Sequence, residues 1–403
     1  MAYTETTHTS YFSRIKNAFA GIFIGLILFI AAFPLLWWNE GNSLKTIKML
    51  QEVAGNLVNV GSDTVEAGND GKLIHVSGPT HTADQVVDTP FGISENAIRL
   101  SRSAEIYQYE EEKRSSEKKK VGGGTTTETT YSYRAGWHDG PIDSSSFKDP
   151  TYKNKNGKGE MPYKSQTVSA HKVGLGAYQL NDQLIAKIDN WESYSAKPEA
   201  LPGDLAGKPH QGGYYFGENP AKPAIGDVKV MFRIVKPSQA SVIAQQLGDS
   251  FQAYTSEVGK TFEKLTVGLV SAGEMIAKEQ SKNKFLTWAI RLGGFFLMFL
   301  GMCLVFKPLS VLADVIPPIG SLIGMGTGFV AGILAFMFST LTIGVAWVRF
   351  RPLIGIPLLV LSIGSIVLLS RKNKKTALPA GAGNAPPPPV DPPPPPPPPP
   401  PAG

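Results

Sequence analysis

The sequence predicts an α+β membrane protein with four transmembrane helices and a large β-rich extramembrane domain inserted between helix 1 and helix 2. Three observations predict it. Apolar runs of membrane-spanning length occur near the start and near the end of the 403-residue chain. Basic residues gather beside those runs. The long stretch between the first two runs alternates turn signals with short segments patterned as half-buried strands.

Residues 1–17 form a cytoplasmic N-terminus carrying Arg14 and Lys16. Residues 18–38 hold no charge and, as a helix, measure about 30 Å, the thickness of a hydrocarbon core. The run is too long for the apolar part of a signal peptide, and no small-x-small cleavage site follows it. Trp37 and Trp38 mark its interfacial end, and Pro34 sits in its last turn. Residues 39–284 form the β-rich domain, periplasmic or lumenal. The second span is 285–306. It contains Arg291, whose stem is expected to snorkel to the headgroups beside Trp288, because a charge at mid-membrane costs at least a few kcal/mol.

Residues 307–319 form a short cytoplasmic or interfacial link, with Asp314 read as interfacial rather than as a buried ion site. The third span, 320–348, carries Gly320, Gly324, Gly328 and Gly332. That four-residue spacing lines one helix face with bare backbone, a packing surface within the bundle or between subunits; the alternative is glycine scattered through a membrane helix. Residues 349–353 make a tight outer turn into the fourth span, 354–370, antiparallel to the third. Residues 371–403 are a basic, then proline-rich, disordered cytoplasmic tail. Arg371, Lys372, Lys374 and Lys375, with Arg14 and Lys16, place both termini in the cytoplasm, while Arg349, Arg351 and Lys278 to Lys284 argue the other way. The prolines from Pro386 to Pro401 impose polyproline II, either a stiff spacer or a ligand for an aromatic-lined groove.

Within residues 39–284, the segments 72–76, 98–100, 105–109 and 228–234 read as strands. The charged stretch Glu110 to Thr130 reads as a solvated hairpin tip, returning through Tyr131-Ser132-Tyr133. Residues 241–271 are ambiguous. Ile243, Leu247, Phe251, Tyr254, Val258, Phe262, Leu265 and Leu269 have helical spacing, which by pattern favours a helix, yet Gly248, Gly259 and Gly268 suit strand turns.

Composition excludes several function classes. The one cysteine, Cys303, lies in an apolar run, so no intrachain disulfide forms. No Asn-x-Ser/Thr acceptor occurs, which fits a bacterial source. The net charge of +6 is spread over helix flanks rather than gathered on one face, so no nucleic-acid partner is expected. The phosphate-loop and nucleophile-elbow motifs are both missing; Gly203 to Lys208 is one residue short of the former and lacks its hydroxyl. The histidines His8, His75, His81, His138, His171 and His210 share no metal-ligand spacing, though His75 and His81 approach across a turn. Trp137-His138-Asp139 reads as a strand end and turn. No catalytic, cofactor-binding or metal-ligating residue is assigned and no cofactor is expected.

Further stretches carry a resemblance. They are Asn39-Glu40-Gly41 with Leu44-Lys45-Thr46, Gly71 to Val76, Glu105 to Tyr109, and Thr130 to Tyr133 with Trp137. Beyond them come Gly217 to Pro220 leading to Gly226-Asp227-Val228, Thr287 to Arg291, Asp314 with Pro317, and Trp347 leading to Arg351-Pro352. In this order and spacing the chain resembles the LUMA family, transmembrane protein 43-like, from the first span to the fourth. The resemblance implies four spans, a lumenal or periplasmic domain, cytoplasmic termini, and strand-turn-strand structure at 241–271. It also implies similarity to an organiser of the inner nuclear and endoplasmic reticulum membranes that holds partners and self-associates. The proline tail is outside the family pattern, and the family offers no catalytic residues to transfer.

The expected function is a non-enzymatic multi-pass membrane scaffold that self-associates and organises unknown protein partners through its outer domain. The rival is a membrane sensor or transporter in which ligand binding to that domain is coupled to the helices; a third reading is a hydrolase in the domain. Expected partners are the lipid bilayer, further copies of the chain, and unidentified proteins. The expected location is the bacterial inner membrane, or the endoplasmic reticulum and inner nuclear membrane in a eukaryote.

Overall fold

A computed structural model describes residues 2–157, 161–197, 207–357 and 360. Three helices among them are long and apolar enough to cross a membrane. The first, α1 (Tyr11–Asn56), starts at Ser10, whose side chain accepts from the Ser13 amide. It does not stop at Trp38. Met49, Leu50 and Val53 recur at helical spacing and are buried, so the same helix continues from lipid into the domain.

The domain begins with short strands. In chain order they are β2 (Val58–Val60), β3 (Leu73–His81), β4 (Gln85–Asp88) and β5 (Ile93–Asn96), all of which follow an N-terminal strand, β1 (Ala2–Thr9). Two long strands come next, β6 (Arg99–Lys119) and β7 (Thr125–His138). They are followed by β8 (Gln166–Ser169), β9 (Gly174–Leu175), β10 (Tyr178–Gln179), the single turn α2 (Asp182–Ile185), β11 (Glu192–Tyr194), β12 (Lys208–His210), β13 (Gly213–Phe216) and β14 (Val228–Val235). The last are β15 (Gln239–Leu247), β16 (Ser250–Gln252), β17 (Tyr254–Thr255), β18 (Thr261–Phe262) and β19 (Lys264–Val267). The chain then enters α3 (Ala272–Ala313), opened by a Ser271–Glu274 capping box, and α4 (Pro317–Phe350).

One sheet runs β1-β7-β6-β14-β13-β12, and the other β19-β15-β16-β10-β9-β3-β2. Their inner faces share one apolar core, with Ile74, Val76, Phe91, Ile98, Tyr178, Tyr214 and Phe232 fully or almost fully buried. Without disulfides, the domain is also pinned by a buried ion pair: Arg102 donates to both carboxylate oxygens of Asp88 at 2.5 and 2.7 Å.

Residues 241–271 are strands, not the helix that their spacing favours. Gly248, Gly259 and Gly268 take positive φ, which ends each segment in a turn. Of the apolar residues at helical intervals, Ile243 and Phe262 pack in a cluster with the helices and Phe251 and Leu265 in the core between the sheets, whereas Leu247 and Leu269 are exposed.

α1 and α3 pack antiparallel through the apolar zone. A Cβ on Gly25 would lie 2.5 Å from the Gly301 carbonyl oxygen, and one on Gly294 would lie 2.4 Å from the Leu36 side chain. Bare backbone at these crossings gives the close contact that holds helices in lipid. α4 folds back along α3. Gly324 meets Ser310, Gly332 meets the Phe299 ring, and Phe338 stacks edge-on with Phe29 at 5.3 Å. Of the predicted glycine stripe, Gly320, Gly324 and Gly332 face α3 or its end, whereas Gly328 meets nothing within 4 Å.

The fourth expected span, 354–370, lies almost wholly outside the described residues, as does the tail 371–403. Residues 352–357 are helical. Gly355 abuts the Trp347–Val348 backbone, 2.6 Å from where its Cβ would sit. Gly301→Leu is expected to force α1 and α3 apart, with an overpacking penalty of about 1–3 kcal/mol. A lowered thermal midpoint of the purified protein in detergent would report it, whereas Gly328→Leu is expected to leave the midpoint unchanged.

Candidate functional site

Charged and polar side chains concentrate at three places along the helix pair: a seam where it meets the domain, a clasp at its opposite end, and the joint to the β-sheets. At the seam, α1 contributes Asn39, Glu40 and Ser43, and α3 contributes Asn283, Thr287 and Arg291. The four-residue spacing in each helix puts these groups on the facing sides. Arg291 donates to both oxygens of Glu40, Nε to Oε1 at 2.6 Å and Nη2 to Oε2 at 2.8 Å. Glu40 is 1% exposed, and the guanidinium also lies 4.8 Å from the Trp288 ring. Asn39 donates to the Thr287 carbonyl, and Thr287 donates to Ser43. Arg291 therefore does not snorkel to headgroups as expected. Glu40, just past the end of the first span, stands at the same depth and takes both of its hydrogen bonds.

At the opposite end, Asp314 is buried rather than interfacial. Its Oδ1 accepts from Lys119 at 2.7 Å and its Oδ2 from Arg14 at 2.5 Å. Lys119 comes from the tip of the β6–β7 hairpin. The Gly122 amide donates to the Val315 carbonyl at 3.1 Å, and Arg14 also donates to the Gly123 carbonyl. The hairpin tip is thus not free in solvent. It also carries β1 as a third strand, paired from Ala2↔Ser132 to Thr9↔Thr125. Of residues 1–17, expected to be a separate cytoplasmic segment, 2–9 are this strand and 11–17 the first turns of α1.

At the joint, Met49, Leu50 and Val53 of α1, Met275 and Ile276 of α3, and Leu73, Ile243 and Phe262 of the sheets form one buried cluster. Val270, just before α3, is held by Ser241 Oγ on its amide and by His75 Nε2 on its carbonyl. A cavity of about 520 Å³ beside this joint is lined by ion pairs, Lys187–Glu263 at 3.2 Å and Lys264–Glu279 at 2.5 Å.

Comparison with known proteins places this arrangement. The family described as transmembrane protein 43 matches residues 106–352. The rat protein "Transmembrane protein 43" is 32% identical over 363 residues, covering 87% of this chain and 89% of the relative. The human protein of that name is 30% identical over 388 residues, covering 93% and 94%.

The chain belongs to the transmembrane protein 43 family.

The fruit-fly homolog is 28% identical over 357 residues, covering 86% of this chain and 93% of the relative. No solved structure matches. Like these relatives, this family member is a membrane protein, and its spans lead directly into the charged seam and clasp.

The histidines do not converge. His75 and His81 lie on the same strand, β3; His8 contacts Thr126 on the ribbon; and His210 packs by Tyr215. Among the described residues, no three His, Cys, Asp or Glu side chains are grouped to hold a metal ion. The structure brings together Arg291 with Glu40 and Asp314 with Arg14 and Lys119; the sequence singled out Arg291, Asp314 and Arg14, the last only as a helix flank, and did not pair any of them.

Removing one partner of the seam pair leaves a buried charge alone. Arg291→Leu or Glu40→Leu is expected to destabilise the protein by about 3–5 kcal/mol, while the double variant Glu40→Leu/Arg291→Leu regains most of that. A double-mutant cycle of denaturation midpoints in detergent measures it. Burial holds the His75 imidazole below its usual pKa of 6.5, partly offset by the Val270 carbonyl. The folded state therefore favours the neutral ring. The stability this contributes is complete above about pH 6.5 and is lost as the pH falls through the lower folded-state value. The midpoint is expected to drop on acidification below 6.5, and His75→Gln to flatten that drop.

Proposed function

We propose that this transmembrane protein 43 family member is a non-enzymatic, multi-pass membrane scaffold that self-associates and organises partner proteins through its β-rich domain. The observation that carries this reading is the joint: α1 and α3 run without a break from lipid into the domain core and share a buried cluster with it. A domain held by two continuous helices is fixed in orientation at the membrane surface, which is what a platform for partners requires. The absence of an assigned cofactor and of a converging catalytic set in the sequence supports the non-enzymatic part. The partners are the bilayer, further copies of the chain and other proteins, with no nucleic acid. The lack of glycosylation acceptors supports a bacterial inner membrane as its location.

A second reading has its own observation. Glu40 and Arg291 are buried ionisable groups where the helices enter the domain. A sensor or transporter would use such a pair to couple ligand binding in the domain to the helices.

The test is purification of the full chain in mild detergent, with measurement of its mass and of co-purifying proteins. Multimers carrying specific partners are expected. A strict monomer with no partners overturns the scaffold reading.

A further inference from the structure

Below the joint cavity, toward the bilayer, the helices and the domain bring cations together without matching carboxylates. The acids that line the cavity are committed to Lys187–Glu263 and Lys264–Glu279. Lys260, at the end of the β17–β18 turn, reaches across to α1, where its Nζ donates to Thr46 Oγ1 at 2.8 Å. Burial, and after it the neighbouring Lys45 ammonium, hold Lys260 below its usual pKa of 10.5. The turn is pinned in this position. Glu52 of α1 accepts from the Tyr254 hydroxyl and the Glu257 amide, and Ser256 Oγ bonds both the amide and the carbonyl of Lys260. Across the gap, α3 presents Lys278 on the cavity wall and Lys282 one turn closer to the bilayer, both exposed. Among the described residues, Lys45, Lys260, Lys278 and Lys282 take part in no ion pair. Like charges held side by side favour an anion between them.

The cations stand over an apolar groove. Leu35, Trp38 and Asn42 precede Lys45 on α1 at spacings of three or four residues, and Leu286 and Ala289 follow Lys282 on α3 in the same way. Both stripes descend from the cavity mouth on the side of the helix pair away from α4, which packs on Phe29, Phe33 and Phe299. Leu35, Trp38, Phe285 and Leu286 are exposed there.

The height of the cations matches lipid phosphate. Lys45 lies seven residues beyond Trp38, and Lys282 six before Trp288, so both stand about 10 Å above the interfacial indoles. The headgroup layer is roughly 5–8 Å deep on each side of the hydrocarbon core, within reach of a lysine stem from that height.

We propose that this place binds an anionic phospholipid. Its phosphate lies between Lys45 and Lys260 on one side and Lys282 on the other, and its acyl chains lie in the groove beside Leu35, Trp38 and Leu286. A zwitterionic headgroup gains less, because its own ammonium opposes the lysines. Lys260 belongs to the domain and Lys45 and Lys282 to the helices, so the bound lipid bridges the two. The inference stands on the membrane placement of the helices and is independent of self-association and of protein partners.

The test uses the full chain, purified in mild detergent and stripped of lipid. It is titrated with phosphatidylglycerol, phosphatidylcholine or inorganic phosphate. Lipid retention is read by native mass spectrometry, and the thermal midpoint is followed in parallel. Phosphatidylglycerol is expected to raise the midpoint and to leave one tightly held lipid per chain, bound about tenfold more tightly than phosphatidylcholine. Inorganic phosphate is expected to leave the midpoint unchanged. Lys45→Gln/Lys260→Gln/Lys282→Gln is expected to lose the preference. Lys16→Gln/Lys284→Gln/Lys307→Gln, which removes equal charge from exposed positions elsewhere on the helices, is expected to keep it. Lys260 is half-buried, so the exposed pair Lys45→Gln/Lys282→Gln supplies a variant that leaves packing intact, with an expected loss of about fivefold in affinity. Equal loss in the two triple variants would mean diffuse attraction. Stabilisation by inorganic phosphate would mean a site for a free anion. Equal binding of the two lipids would mean an ordinary lipid-facing surface. Each of these results overturns the proposal.

Discussion

The antiparallel packing of α1 against α3 positions every other part of the molecule. In lipid there is no hydrophobic force between helices, so the pair depends on close approach and on polar bonds formed across it. Both are present, at different heights. Gly25, Gly294 and Gly301 bring the backbones together in the apolar zone, and Glu40 with Arg291 joins them where the zone ends. The helices then continue past the bilayer edge into the domain core, so the sheets are carried on two rigid arms rather than on loops.

The two charged contacts divide the work differently. The seam is a one-to-one pair in which the guanidinium fork matches a carboxylate, so charge and geometry balance within the helix pair itself. The clasp sets one buried carboxylate, Asp314, between two cations from different parts of the chain, Arg14 before the first span and Lys119 on the hairpin tip. Their presence explains why Asp314 is tolerated at 1% exposure. It also means that the β-rich domain touches both ends of the helix pair, through its core at one end and its ribbon at the other.

Much of this was legible in the sequence. Hydropathy and length identify the three described spans because lipid imposes a long, uncharged helix and few other patterns meet that demand. Alternation and turn residues reveal most of the strands. What failed did so where local spacing underdetermines three-dimensional partners. The residues Ile243 to Leu265 recur at helical intervals, yet glycines at positive φ break the segment into short strands whose buried residues face two different clusters, and periodicity alone cannot tell this from a helix. Arg291 was visible as a charge in a span, but its partner Glu40 lies 251 residues away and reads as an ordinary flank. The depth of the two residues in the paired helices was the missing signal. The strand β1 had its own signal, since its run of threonines has high β-propensity. Residues 1–17 read as a cytoplasmic terminus, and no strand was considered there.

The ribbon sets the sharpest constraint on how the protein exists in a membrane. Its strands pair with one another through 14 residue pairs of β6 with β7 and eight of β1 with β7, so it is well formed as a unit. Its attachment to the helices among the described residues, in contrast, consists of a few bonds at the tip around Asp314, Val315 and Arg14. A structure this charged does not fold against apolar helices by burial, and nothing between the domain and the tip holds it to them strongly. Its place beside the helices is therefore set from its two ends, by the domain core and by the Asp314 clasp. Between those ends its position depends on what covers its faces and edges, and only water or other protein can do so at that height.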